Sequence, residues 1–330
     1  MPDRPTQELR LGSRGSQLAL WQAHTVARGI AEAGGPPCRI VIIKTSGDRL
    51  QEAPLSEIGG KRLFVKEIED ALLGGDIDLA VHSSKDMPAL LPEGLGIAGV
   101  LPRENPLDAV VLPEGRRAAP GTVDELVAVL GQSPSIGTGS VRRIAQLARL
   151  FPGARFTPIR GNLDTRLRKL DEGRHDALVL AAAGLRRLGF ASRVSFAIPA
   201  EACIPAPGQG IVAVEIRESD QRTRDAVALI DDRMAGAALV AERALVAALG
   251  GGCQTPIGAL ASPGAGDTLE LVAAVIALDG SRAVHGRASG RREDAAAIGA
   301  RVGAELIAEG AAEILADVRR VQGAVEGLQP

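Results

Sequence analysis

Ile77-Asp78-Leu79-Ala80-Val81-His82-Ser83-Ser84-Lys85-Asp86-Met87-Pro88 is the stretch on which the reading of this chain turns. Ile77, Leu79 and Val81 alternate with small or polar residues, the period of a short strand. Apolar residues stop at His82, five polar side chains follow, and Pro88 blocks any continuing ladder. In an open α/β sheet, ligands bind at such a strand's carboxyl end. The same residues would also serve as a solvated turn after an edge strand, so their neighbours must decide.

Toward the N-terminus, Leu9–Leu11 predicts a strand entering Gly12-Ser13-Arg14-Gly15-Ser16. A helix follows from Gln17 to Ala33, with Leu18, Trp21, Val26 and Ile30 near one face and Gly34-Gly35-Pro36-Pro37 ending it. Arg14 and Ser16 thus sit at a strand-to-helix turn, whose free backbone N–H groups favour anions; Ser16 reads equally as a plain N-cap. Arg39–Lys44 predicts a buried strand. Thr45–Lys61 has no clear periodicity, and a loop of that length is either disordered or a lid. Leu63–Leu73 is amphipathic and leads to the opening strand, and Gly96–Val100 predicts another. This order means a parallel or mixed sheet with helices on its faces.

Toward the C-terminus, Pro102-Arg103-Glu104-Asn105-Pro106 reads as a crossing. A second α/β unit follows, with strands at Asp108–Leu112, Ser135–Thr138, Arg155–Ile159 and Ala177–Leu180. Three of them empty into helix starts or short helices that carry arginine: Gly137–Arg143, Arg160–Arg166, and the segment with Arg186 and Arg187. Pro205-Ala206-Pro207-Gly208-Gln209-Gly210 is a second crossing, followed by a strand at Ile211–Ile216. Two crossings around one unit predict an inserted domain, with a ligand cleft between the lobes. An Ala-rich helix at Met234–Leu249, strands at Leu269–Leu278 and Arg282–Arg287, and a helix from Asp294 to about Val318 predict a small α+β third domain. The expected units are residues 1–102 with 210–230, residues 103–209, and residues 231–330.

Composition narrows the function. A length of 330 residues implies two or three domains. Net charge is −2, so no global field draws the chain to nucleic acid or membrane. Five Phe, one Trp and no Tyr leave few rings for stacking bases. No apolar run approaches the ~20 residues that span a bilayer, and Met1–Glu8 has no apolar core for a secretory signal; the expected location is the cytoplasm. Cys38, Cys203 and Cys253 are spaced too irregularly for a disulfide framework or a zinc site, and no metal is expected. Cys38 and Cys203 read as buried fillers. Cys253 differs, because it lies in Gly250-Gly251-Gly252-Cys253-Gln254-Thr255-Pro256-Ile257-Gly258. Glycines let the backbone approach a bulky group, and exposure near arginine favours the nucleophilic thiolate. Only five of the 38 basic residues are lysines. A GC-rich genome would scatter arginines, yet in the second unit they gather at one sheet edge, where they can hold carboxylates or phosphates bidentately. Arg149, Arg168 and Arg174 read as ordinary solvated helix residues.

In this order Arg14–Gln22, Gly59–Glu67, His82–Asp86, Gly137–Arg143, Arg160–Arg166, Pro207–Gly210 and Gly250–Gly258 resemble the porphobilinogen deaminase (hydroxymethylbilane synthase) family over essentially the whole chain. The resemblance implies two periplasmic-binding-protein-like α/β domains, the second inserted, plus the small third one. It implies stepwise condensation of four porphobilinogen molecules to hydroxymethylbilane with release of ammonia. The product grows on a dipyrromethane cofactor, one per chain, joined by a thioether to Cys253. Asp86 falls on the catalytic carboxylate. Cofactor binding is implied for Ser83, Lys85, Asp86, Thr138, Ser140, Arg142 and Arg143, and substrate binding for Arg14, Ser16, Gln22, Arg160, Arg166, Arg187 and Gln209. Lys61 and Phe64 would belong to a lid. The working unit is expected to be a monomer. Ser84, Gly139 and Glu57 depart from residues common in the family, and none touches the central chemistry. A two-lobed protein that only captures an oxyanion or dicarboxylate is the alternative, argued against by Cys253 and the missing export signal; a regulator's sensor domain would need a helix-turn-helix segment that the chain lacks.

Overall fold

β3 (Leu79–Ser83) runs through the middle of a sheet, hydrogen-bonded on one side to β1 (Leu9–Ser13) and on the other to β10 (Val212–Arg217). The turn at its carboxyl end therefore does not follow an edge strand. The computed structural model describes residues 8–46, 65–116, 118–252 and 255–326. With β2 (Cys38–Ile42) and β4 (Leu95–Val100), this first sheet has the order β2-β1-β3-β10-β4. β1, β2 and β3 are parallel, and β10 is antiparallel to both of its neighbours. Leu9, Leu11, Leu79, Val81, Val212 and Val214 form one core face beneath helix Gln17–Glu32. Each such side chain, fully buried, contributes about 1.5–3 kcal/mol.

The second sheet repeats the plan. Its strands are β5 (Asp108–Val111), β6 (Ser135–Gly137), β7 (Arg155–Thr157), β8 (Ala177–Ala181) and β9 (Phe196–Ile198), in the order β7-β6-β8-β5-β9. Again three strands are parallel and the fourth position is antiparallel. In both sheets the antiparallel strand is the one that follows a crossing. β5 and β8 are buried on both faces, which explains their near-continuous apolar sequences.

The third sheet is an antiparallel meander of β11 (Ile257–Pro263), β12 (Thr268–Ile276) and β13 (Ala283–Arg291). Helices Arg233–Ala248, Ala295–Ala308 and Ala311–Glu326 accompany it. This domain touches both lobes through apolar groups: Ala235 and Leu239 meet Met87, Val100, Ile211 and Ala213, while Leu260, Ala274 and Ile276 meet Ala145 and Ile204. Glu242, fully buried, fastens the junction. Its carboxylate accepts from Arg103 Nη1 (2.6 Å), Gly208 N (2.5 Å) and Ala261 N (2.7 Å). One side chain so ties both crossing strands to β11.

Several expectations change. Arg39–Lys44 was expected to be buried, but β2 is an edge strand with Ile42 56% exposed. The glycine-rich stretch ends in β11, a strand that glycine, alanine and proline disguise in the sequence. β9 and helix Gln221–Ala228 were not foreseen, the latter capped by Asp220 accepting from Thr223 N. The final helix breaks at Gly310, whose φ of +100° no helix accommodates. Cys203 is buried as expected, but Cys38 is only half-buried on β2. Most of the expected lid, with Lys61 and Phe64, lies outside the described residues.

Candidate active site

The carboxyl ends of the parallel strands in both lobes carry the polar residues. In the first lobe β1 leads to Arg14 and to Ser16, which caps helix Gln17–Glu32 by accepting from Ala19 N. The N-cap reading of Ser16 is therefore met. β3 leads to Ser83 and then to a single 3-10 turn, Ser84–Asp86. Gln22, 2% exposed, donates to Ser83 Oγ at 2.8 Å and so steadies this turn from beneath. Asp86 is exposed at its tip. In the second lobe β6 leads to Thr138 and to Ser140, which accepts from Arg143 N as the N-cap of helix Val141–Leu150. β7 leads to Arg160 and Arg166, and β8 to Arg187. Arg166 Nε donates to Gly161 O at 2.8 Å. Arg187 reaches back across the lobes: its guanidinium lies 5.5 Å from the Trp21 ring centre and donates to Gly210 O at 2.6 Å.

Charges from the two lobes interlock. Lys85 is half-buried by surface but lies deep between the lobes. Withdrawal from water pushes its ammonium down to about 8; Asp86 and Asp108 work against that, and Arg143 and Arg142 with it. For Arg166, burial and then Arg143 lower the guanidinium, while Asp86 raises it. Asp86 of the first lobe thus feels arginine from the second.

Two arginines expected to hold ligand carboxylates turn inward. Arg142 and Arg143 are 3% and 8% exposed. Arg142 Nη1 lies 2.6 Å from Asp108 Oδ2, and Arg143 Nε and Nη2 lie 3.0 and 2.8 Å from Asp108 Oδ1. Arg143 Nη1 donates to Val179 O at 2.9 Å, so all three of its nitrogens are committed within the protein. Burial alone would raise the Asp108 carboxyl, but the two guanidiniums outweigh it and hold the group far below the usual carboxylate range. Gln209, expected to bind substrate, is also internal: it is 1% exposed and donates to Asp108 Oδ1 at 2.9 Å. Asp108 escaped the sequence reading. Its signal was a lone charge heading a strand of Ala, Val and Val, where a carboxylate survives only beside cations.

A recess open to solvent lies where the three domains meet. Ser84 and Lys85 line it from the first lobe, Ser140 and Arg142 from the second, and Arg243, Gly252 and Thr255 from the third. Cys253 lies outside the described residues; the residues on either side of that gap, Gly252 and Thr255, line the recess. Arg243 Nη2 donates to Ala89 O at 2.8 Å, holding the segment after Asp86 against the third domain. Two buried polar atoms on this wall, Ser84 Oγ and Arg142 Nε, have no hydrogen-bond partner among the described residues. Buried donors are rarely left so, and both fit a carboxylate-bearing group seated in the recess. Among the described residues no cluster of His, Cys, Asp and Glu could hold a metal, and no helix is long and apolar enough to cross a membrane.

Residues 9–225 match the family model "Porphobilinogen deaminase, dipyromethane cofactor binding domain", and residues 237–308 match "Porphobilinogen deaminase, C-terminal domain". The porphobilinogen deaminase of Moorella thermoacetica is 45% identical over 322 residues, 97% of this chain and 99% of that one. That of Geobacter metallireducens is 44% identical over 313 residues, 94% of this chain and 95% of its own length. Among solved structures, the VFT2 domain of Bordetella pertussis BvgS covers 70% of this chain and 88% of its own, at a TM-score of 0.40 and 16% identity, a likeness too remote to carry weight.

Proposed function

The chain belongs to the porphobilinogen deaminase family, and from that premise we propose that Asp86 is its catalytic carboxylate and Cys253 its point of cofactor attachment. The enzyme is a transferase of tetrapyrrole (haem) biosynthesis that joins four porphobilinogen molecules head to tail into hydroxymethylbilane, releasing ammonia each time. Its dipyrromethane cofactor, when bound, supplies the primer pyrrole on which the product grows. In this reading the thioether is made by Cys253.

Loss of ammonia from the aminomethyl pyrrole leaves positive charge on an electron-poor ring. Asp86 stabilises that charge. It gives a proton to the departing amine and takes back the one shed when the new carbon–carbon bond forms. Each ring carries an acetate and a propionate, so negative charge accumulates. Lys85, Arg166, Arg160 and Arg14 hold these carboxylates as charge-assisted donors, with Ser16, Ser83, Thr138 and Ser140 adding hydroxyl contacts. Arg142 contributes through its unpartnered Nε, and Arg143 through field and shape. The observation that supports this reading best is an exposed Asp86 between Lys85 and Arg166, beside a three-domain recess with two unpartnered buried donors.

Residues 1–102 with 210–230 carry the carboxylate in this scheme, residues 103–209 the arginines, and residues 231–330 the attachment loop. The enzyme acts as a cytoplasmic monomer with neither nucleic acid nor membrane as a partner, in keeping with its −2 net charge and few aromatic residues. The test is Asp86→Asn, which removes charge and keeps shape. It should retain the covalent cofactor, read as the excess of intact mass over its own chain mass, and the parent's melting temperature, while losing nearly all turnover; substantial residual turnover would remove Asp86 from the chemistry.

A further inference from the structure

The crossing that carries Gln209 is held from several sides. Gly208 and Gly210 flank it at φ +73° and +88°, the left-handed region that favours glycine. A Cβ on Gly208 would sit 2.7 Å from Ser84 Oγ, and one on Gly210 would sit 2.3 Å from Glu104 O. Gln209 O accepts from Arg103 Nε at 2.9 Å, and Gly210 O accepts from Glu104 N at 3.1 Å. The main chain at Gln209 is therefore held in place, and the hydrogen bonds of its amide then set where the side chain points.

Its amide has one chemically sound orientation. Nε2 donates to Pro106 O at 2.7 Å and Asp108 Oδ1 at 2.9 Å, both pure acceptors. Both amide protons are used, and Oε1 is left facing Lys85 Nζ at 3.5 Å. Turning the amide over would set oxygen against two acceptors and an amino group against an ammonium. We propose that Gln209 is a positioning residue: it moors the first lobe's Lys85 ammonium to the second lobe's Asp108–Arg142–Arg143 group, so that ligand carboxylates meet one preset cationic wall. This rests on the assignment of Lys85 to carboxylate binding, and it removes Gln209 from the substrate-touching residues.

The groups that face Lys85 are Asp86 on its own turn, Asp108, Arg142 and Arg143 from the second lobe, Gln209 from the crossing, and Arg243 across the recess. The chain has only five lysines, at positions 44, 61, 66, 85 and 169, so carbon-13 at lysine Cε gives a spectrum in which Lys85→Gln assigns the Lys85 signal. In the holoenzyme, Gln209→Met removes the carbonyl partner and should lower the Lys85 titration midpoint by about one pH unit relative to the parent. Gln209→Glu adds negative charge and should raise it. At a pH just above the lowered midpoint, the KM of Gln209→Met for porphobilinogen should rise several-fold while kcat holds. A midpoint equal to the parent's in either folded variant overturns the mooring, and the Glu variant carries the test if the Met variant does not fold. A shifted midpoint with unchanged KM would leave the mooring intact and refute the use of Lys85 for ligand carboxylates, so the two failures are distinguishable.

Discussion

Replacing Asp108 by asparagine keeps the shape of the buried carboxylate and deletes its charge. The side chain is fully buried and accepts from Arg142 Nη1, Arg143 Nε, Arg143 Nη2 and Gln209 Nε2 at 2.6, 3.0, 2.8 and 2.9 Å. Its loss strands two guanidiniums in the interior, and the new amide turns a donor toward donors. Removing one partner of a buried ion pair costs about 3–5 kcal/mol. For a protein this large, each kcal/mol displaces Tm by roughly 2–4 °C, which predicts a fall of roughly 6–20 °C by calorimetry at pH 7. The pH dependence gives a second readout. In the folded protein the arginines hold the Asp108 carboxyl below its value in the unfolded chain, despite the opposing effect of burial. The folded state therefore binds this proton less readily, so its stabilisation is complete above about pH 4 and is lost as pH falls further. The Tm gap between parent and variant should be widest near neutrality and narrow in acid. A gap below about 2 °C at pH 7, or one that is constant with pH, would refute the reasoning.

The other expected outcomes are these. The active parent should weigh more than its chain by two pyrrole units, and Cys253→Ser should show the bare chain mass; an active parent at bare mass would dismiss the attachment. In the proposed scheme ligand carboxylates are held by the Lys85 ammonium, which burial pushes down to about 8, so the KM for porphobilinogen should climb as pH passes 8. An unperturbed lysine would delay that climb to roughly pH 10, and a flat KM from pH 7 to 9 would count against Lys85. Gly208→Ala forces a side chain into left-handed backbone against Ser84, which should cost about 1–3 kcal/mol; an undiminished urea midpoint would contradict the close approach.

Much of the architecture was written in local pattern. The alternation from Ile77 to Val81, the proline-framed crossings and the amphipathic helices each carry a signal within a dozen residues, and β3, β5 and β8 lie where these signals put them. β11 was missed because Ile257-Gly258-Ala259-Leu260-Ala261-Ser262-Pro263 lacks β-branched residues after its first position; it is a strand because β12 pairs with it throughout. β2 was misread because Ile40, Val41 and Ile42 say apolar without saying which face has a neighbour. At the site, the sequence brought out the strand-end arginines but not which would face outward. Only the position of Asp108, 34 and 35 residues from its partners, turns Arg142 and Arg143 inward. Pairings at that separation leave no periodic trace.

The placement of β10 has a consequence for how the protein is born. That strand lies between β3 and β4, so the N-terminal sheet stays split in two until Val212–Arg217 leaves the ribosome. Every strand of the second sheet lies between Asp108 and Ile198 and can assemble without waiting. Domains generally fold as units during synthesis, N-terminal ones first. Here the middle of the chain matures before its beginning, and for more than a hundred residues of translation the nascent first lobe displays two unpaired strand borders that a chaperone has reason to shield.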